Sequence, residues 1–164
     1  MLRAYDNFIT NMEQSYIDGI CNSGKWEWGH FSTDSNAIKF WKISNLESDP
    51  FFSNHLMKRI EDVTGDKFEI ERIYMNGHTA CSQGNPHLDS NVDNGRTFLV
   101  YCNNTWVPEH GGYTTFIIDN EVITNYGYPR SALYFKNNVP HFATPISRAF
   151  NDLRVTLAFK LYKI

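Results

Sequence analysis

Apolar residues recur at helical spacing in the first third of the chain and alternate with polar ones afterwards. In residues 6–21, Phe8, Met12, Tyr16 and Ile20 lie four apart. That spacing predicts an amphipathic helix with these side chains inward, ending before Gly24. The stretch KWEWGHF, residues 25–31, predicts a strand. Ser48-Asp49-Pro50 has the form of a helix start, a capping side chain followed by proline in the first turn. Leu56, Ile60 and Val63 would continue that helix, and Gly65 would stop it.

Beyond Gly65 the segments 68–75, 97–102, 113–118, 121–124, 132–135, 142–146 and 154–162 all predict strands. Turn clusters such as Asn103-Asn104, Gly111-Gly112, Asp119-Asn120 and Asn137-Asn138 separate them. Short strands at this pitch predict a sandwich or barrel. The expected fold is mainly β with N-terminal helices. It is expected to form one domain over 1–164, a helical support region over 1–66 and a β core over 67–164.

Composition narrows the function more than the fold. The chain has 164 residues and a formal net charge of -3, with no run of Lys or Arg. That weighs against a nucleic-acid partner bound through phosphates. Cys21, Cys81 and Cys102 are far apart and odd in number, as expected of reduced thiols in a cytoplasmic protein. The first residues have no apolar signal-like core, and no stretch approaches a membrane span, so no membrane partner is expected.

The candidate chemistry starts at GNPHLDS, residues 84–90. On extended backbone His87 and Asp89, two apart, project to one face. His141 follows a turn and a proline in NNVPHFATPI, at the start of a predicted strand. In RVTLAFKLY, alternation puts Arg154, Thr156 and Ala158 on one face and Val155, Leu157, Phe159 and Leu161 on the other. If the first face points inward, a buried guanidinium needs an anion, and its planar fork suits a carboxylate. Each feature has a plainer reading: a solvated loop pair, an edge histidine, an arginine facing water. Together, two His and one carboxylate on a β scaffold make the facial triad of non-haem iron oxygenases.

The segments RIYMNGHTACSQGNPHLDS, RTFLVYCNNTWVPEHGGYTTF and VPHFATPISRAFNDLRVTLAF resemble, in order, blocks of the Fe(II)/2-oxoglutarate-dependent dioxygenases, in their prolyl-4-hydroxylase-like branch. The resemblance covers residues 70–160 and implies a double-stranded β-helix, or jelly roll. It implies Fe(II) held by His87, Asp89 and His141, with O2 and 2-oxoglutarate as co-substrates and ascorbate as a candidate accessory. Arg154 would pair with the C5 carboxylate of 2-oxoglutarate, helped by Tyr101. Tyr74 would line the co-substrate pocket, and Thr114 and Thr156 are further candidates. The implied reaction is hydroxylation, most simply of a prolyl residue in a peptide or protein, with release of succinate and CO2.

The sequence departs from the branch in several places. The family's G-G-E-T block here reads Gly111-Gly112-Tyr113-Thr114, and Ala143 stands where a glycine is common. Arg154 replaces the lysine of the collagen-type enzymes. The gap from His141 to Arg154 is long and contains Arg148; the β pattern around Arg154 favours it as the co-substrate ligand. The loop over residues 76–86 is also longer than in close relatives. Loops 76–86, 90–96 and 103–110 are where a substrate would be recognised, with Trp106 as a candidate wall or packing residue.

Other functions remain open from sequence. RVTLAFK loosely resembles the corresponding strand of alkylated-base demethylases, with Lys160 in the place of their last arginine. A small metabolite is another possible substrate. A non-catalytic jelly-roll binding module would have no need of three ligands. A hydrolytic zinc site would leave the buried arginine without purpose, and a cupin would need H-x-H, which is absent.

Overall fold

Strand alternation around position 157 organises the molecule. In the computed structural model, which describes residues 2–31 and 38–164, two antiparallel sheets pack around this strand. In chain order the elements are β1 (Leu2–Tyr5), α1 (Asn11–Cys21), β2 (Glu27–His30), β3 (Phe40–Ile43), α2 (Met57–Thr64), β4 (Phe68–His78) and β5 (Gly95–Tyr101). There follow β6 (Thr114–Ile118), β7 (Glu121–Asn125), β8 (Ala132–Lys136), β9 (His141–Ala143) and β10 (Arg154–Lys163). The larger sheet has the order β1-β8-β5-β10-β4-β3-β2 and the smaller β7-β6-β9. The expected strands are all present in outline. The 142–146 segment shortens to β9, and the strand at 68–75 extends to His78.

One face of β10 packs on the helices. Val155, Leu157, Phe159 and Leu161 share a core with Ile17, Phe52, Leu56 and Ile60. Burying each such side chain contributes roughly 1.5–3 kcal/mol. The other face looks between the sheets. There Tyr101, Phe116, Leu133 and Phe135 form a small apolar cluster beside a cavity of about 270 Å³.

The N-terminal region differs from expectation. Besides the expected strand, which is β2, the strands β1 and β3 also form there and all three join the larger sheet. Pairing of β1 with β8 uses the first residues, and a left-handed Asn7 turns the chain. Helix α1 therefore begins at Asn11, where a capping box between Thr10 and Glu13 starts it. Its buried face is Glu13, Gln14 and Ile17 rather than Met12 and Tyr16; Met12 is 85 % exposed. Both buried polar side chains are anchored, although Gln14 Oε1 has no hydrogen-bond partner among the described residues. Glu13 meets Thr10 N, His55 and Arg59 at 2.5–2.7 Å, and Gln14 donates to the Cys102 carbonyl at 2.7 Å. Burial pushes the Glu13 carboxyl up, but these partners outweigh it and hold it below its ordinary value.

The second helical stretch matches its start and stop signals. Asp49 accepts from Phe51 N at 2.9 Å, a π-helical turn runs over Phe51–Leu56, and α2 ends at Gly65 in the left-handed conformation. Leu56 and Ile60 are fully buried, whereas Val63 lies on the exposed side.

Candidate active site

Three chain segments meet at one mouth of the cavity. His87 and His141 form an antiparallel bridge, each N–H donating to the other's carbonyl at 3.0 Å. Their ring centroids come within 4.5 Å. Each Nδ1 lies 2.9 Å from a backbone carbonyl, Asn85 for His87 and Val139 for His141. A carbonyl only accepts, so Nδ1 carries a proton and Nε2 is the ring atom left to face a metal. Those Nε2 atoms face Asp89 at 3.8 and 3.6 Å. One ligand atom from each of the three residues lies within 4.8 Å of the others. Two imidazoles and a carboxylate suit a divalent first-row metal with open positions.

The Asp89 carboxylate is oriented from behind. The Thr97 hydroxyl lies 2.7 Å from Oδ2, and Lys160 Nζ makes an ion pair with the same oxygen. Lys160 Nζ also donates to Thr97 Oγ1 at 3.0 Å. Burial pushes the Asp89 carboxyl up, but the charge of Lys160 and the hydrogen bonds from Lys160 and Thr97 hold it well below the usual carboxylate range. Burial would lower the Lys160 ammonium, but Asp89 outweighs that and keeps it charged. Burial pulls His141 down to about 4 against the attraction of Asp89, so the ring is neutral at pH 7.

Arg154 enters the same cavity from the other end of the β10 inner row. It is 4 % exposed and has no acidic partner among the described residues. Its Nη2 donates to Thr114 Oγ1 at 3.3 Å, and its guanidinium lies 5.6 Å from the Tyr101 ring centroid. The Tyr101 hydroxyl donates to the same Thr114 oxygen at 2.7 Å. Burial pulls the guanidinium below its ordinary value and pushes the Tyr101 phenol up to about 12. Gly112, at φ +65, explains part of the glycine pair: a Cβ there would lie 2.7 Å from Arg154 Cδ. The buried, unpaired guanidinium beside two hydroxyls fits the distal carboxylate of a dicarboxylate such as 2-oxoglutarate.

Tyr74 and Thr156 line the cavity between these ends. Of the residues singled out for iron or co-substrate, all but Tyr101 therefore line one cavity, and Tyr101 stands behind Thr114 and Arg154. Arg148 is exposed and does not line it. Trp106 packs on His110 and Phe150 and stays outside it. The contact of Lys160 with Asp89 was missed in sequence. Its signal was there: it continues the Arg154, Thr156, Ala158 alternation. Lys42, Arg72, Asn76, His78 and His30 also line the cavity and were not singled out.

No family model matches the chain, and no curated protein matches it in sequence. Its fold is shared with solved oxygenases. A 2OG-Fe(II) oxygenase family oxidoreductase from Burkholderia pseudomallei superposes with a TM-score of 0.78 at 11 % identity, over 98 % of this chain and 84 % of that one. A prolyl hydroxylase from Trichoplax adhaerens, in complex with a hypoxia inducible factor peptide fragment, superposes at 0.74 with 13 % identity, over 98 % and 83 %. HygX from Streptomyces hygroscopicus, with nickel and 2-oxoglutarate bound, superposes at 0.74 with 10 % identity, over 98 % and 82 %. HygX has also been solved with nickel, 2-oxoglutarate and hygromycin B bound. The chain thus has the double-stranded β-helix of the 2-oxoglutarate/Fe(II) oxygenases, together with a His-Asp-His cluster suited to a metal.

Proposed function

We propose that this protein is an Fe(II)- and 2-oxoglutarate-dependent dioxygenase that hydroxylates a prolyl residue of a peptide or protein and releases succinate and CO2. The observation that carries this reading is the pairing, in one cavity, of a His-Asp-His cluster with a buried arginine that lacks an acidic partner among the described residues. His87, Asp89 and His141 would hold the iron, and Arg154, Tyr101 and Thr114 the distal carboxylate of 2-oxoglutarate. Tyr74 and Thr156 would wall the co-substrate. When bound, iron with 2-oxoglutarate and O2 supplies the oxidising chemistry for insertion of oxygen into a C–H bond.

The chain's own residues supply geometry. The two histidines turn their Nε2 atoms toward the metal site because their Nδ1 atoms are committed to backbone carbonyls. Thr97 and Lys160 fix the rotamer of Asp89. Ala158 and Leu99, opposite one another on β10 and β5, keep the floor apolar and dry. A peptide substrate is supported by the branch that the sequence resembles and by the peptide seen with the Trichoplax hydroxylase. Free Cys21, Cys81 and Cys102 fit a reducing, cytoplasmic setting.

The test is an anaerobic titration with Fe(II) and 2-oxoglutarate, followed by the weak visible charge-transfer band of the chelate. The band should form in the wild type and be lost in His87→Ala and Arg154→Ala. Aerobic incubation with proline-containing peptides, with and without ascorbate, should then give succinate and a product heavier by one oxygen. Failure to bind either iron or 2-oxoglutarate would leave a non-catalytic jelly-roll module as the better account.

A further inference from the structure

The cavity holds a second set of polar groups that the iron and 2-oxoglutarate assignments leave unused. Lys42 on β3 and Arg72 on β4 both lie over the ring of Tyr74, with Nζ 4.5 Å and the guanidinium carbon 5.7 Å from its centroid. His30 turns an edge toward the same ring at 6.3 Å. Among the described residues Lys42 makes no ion pair, and Arg72 has only Glu71 at 3.7 Å. Burial and then Arg72 push the Lys42 ammonium below its ordinary value, against the weaker pull of Glu27 and Glu47. Burial, Lys42 and Arg72 bring His30 down to about 4, so it stays neutral.

One aromatic face attracts a cation only weakly and does not offset the repulsion of a second beside it. The natural complement is an anion. The cations continue inward, because Lys160 pairs with Arg72 across the sheet register and lies close to Tyr74. Asp89 is taken up by Lys160 and, on the oxygenase reading, by iron. Along the same wall, His78 Nδ1 and Asn76 Oδ1 are buried without a hydrogen-bond partner. Asn76 lies directly between Lys42 and Thr156 in the sheet, and His78 beside Arg154. His78 is 7 % exposed and lines the cavity, so a ligand polar group is the partner it lacks.

We propose, resting on the oxygenase reading, that this wall is a subsite for a carboxylate on the primary substrate. Lys42 and Arg72 hold the carboxylate over Tyr74 while the reacting carbon sits at the iron. The substrate class is then an acidic one: a peptide with a glutamate or aspartate flanking the reacting residue, or a small free acid. A polyanion is disfavoured, because the net charge is -3 and these cations sit at one cavity rather than along a stripe.

The test is direct binding, with and without Fe(II) and 2-oxoglutarate under argon. Labelled peptides carry proline flanked by glutamates, glutamines or lysines; free glutamate and a single-stranded oligonucleotide serve as competitors. The glutamate peptide should bind at least about tenfold more tightly than its glutamine counterpart, and less so in high salt. Lys42→Gln/Arg72→Gln should erase that preference, and Lys42→Glu/Arg72→Glu should shift it toward the lysine peptide. Displacement by free glutamate with no peptide preference assigns the subsite to a small acid. Equal binding of the glutamate and glutamine peptides without displacement by free glutamate overturns the proposal, as does a preference that survives both double variants. Tighter binding of the oligonucleotide through the same two residues replaces the carboxylate class with a nucleic acid. The iron and 2-oxoglutarate affinities from the same titrations report separately on the oxygenase reading.

Discussion

Strand β10 buries both of its faces, and the two are opposite in chemistry. Val155, Leu157, Phe159 and Leu161 lie in an apolar core against the helices. Arg154, Thr156, Ala158 and Lys160 are as deeply buried on the other side, two of them cationic. Apolar burial holds the first face together without directional partners. The second face is stable only where each charge finds an opposite charge, a hydroxyl or a ligand. Equal burial thus marks stability on one side of the strand and chemistry on the other.

The sharpest break of that comparison is Asp89→Ala. It removes one candidate iron ligand and leaves Lys160 buried without its acid. We expect loss of iron binding and turnover, and a metal-free protein destabilised by about 3–5 kcal/mol. Adding Lys160→Met should restore the urea midpoint but not turnover. If Asp89→Ala alone leaves the midpoint unchanged, the inner face is not held by that pair.

On the core face, Leu157→Ala should cost about 2–5 kcal/mol in urea denaturation, because Leu157 is fully buried. Arg154→Met inverts this behaviour. Stability should hold or rise by about 1 kcal/mol, because a charge without an acidic partner is exchanged for an apolar chain. The affinity for 2-oxoglutarate, by calorimetry, should fall by about 2–5 kcal/mol. A large loss of stability in Arg154→Met would mean that the arginine is structural.

The inner wall should also respond to pH where the core does not. Burial and the nearby Arg154 pull His78 down to about 3, and burial with Lys42 and Arg72 pulls His30 to about 4. Both take up protons in the unfolded chain near the ordinary value of 6.5, before the folded chain can. Their contribution is therefore fully present above pH 6.5, declines as pH falls toward 4 for His30 and toward 3 for His78, and is lost below. For His78 the slope is at most about 1.4 kcal/mol per pH unit. Urea midpoints of the metal-free protein at pH 7 and pH 5 should differ accordingly, and less so in His78→Asn.

The smallest effect concerns α1. Met12→Gln should change stability by less than about 0.5 kcal/mol, because Met12 is 85 % exposed. Ile17→Ala, in the core, should cost several times more.

The β core was legible because alternation is local: each strand carries its own two-residue period, and its turn residues mark its ends. The His87, Asp89, His141 and Arg154 candidates were legible for a related reason. Backbone geometry puts i and i+2 on one face, and an inward arginine demands a partner. Helix α1 was misread at one end. Its four-residue repeat is compatible with several faces, and the pairing of β1 with β8 decides where the helix begins. Glu13 and Gln14 look like surface residues until His55, Arg59 and Cys102 arrive from distant segments.

By itself, then, the sequence determined the stop of α2 at Gly65, the strands beyond it and the alternation that gives β10 two unlike faces. Those are short-range properties of backbone geometry and residue type. Only the tertiary structure decided which charges meet. Lys160 reaches Asp89 across 71 residues of chain, and Lys42 and Arg72 converge on one tyrosine from neighbouring strands. Such encounters are set by sheet order and register, which depend on how the whole chain packs and leave no periodic trace in any one segment.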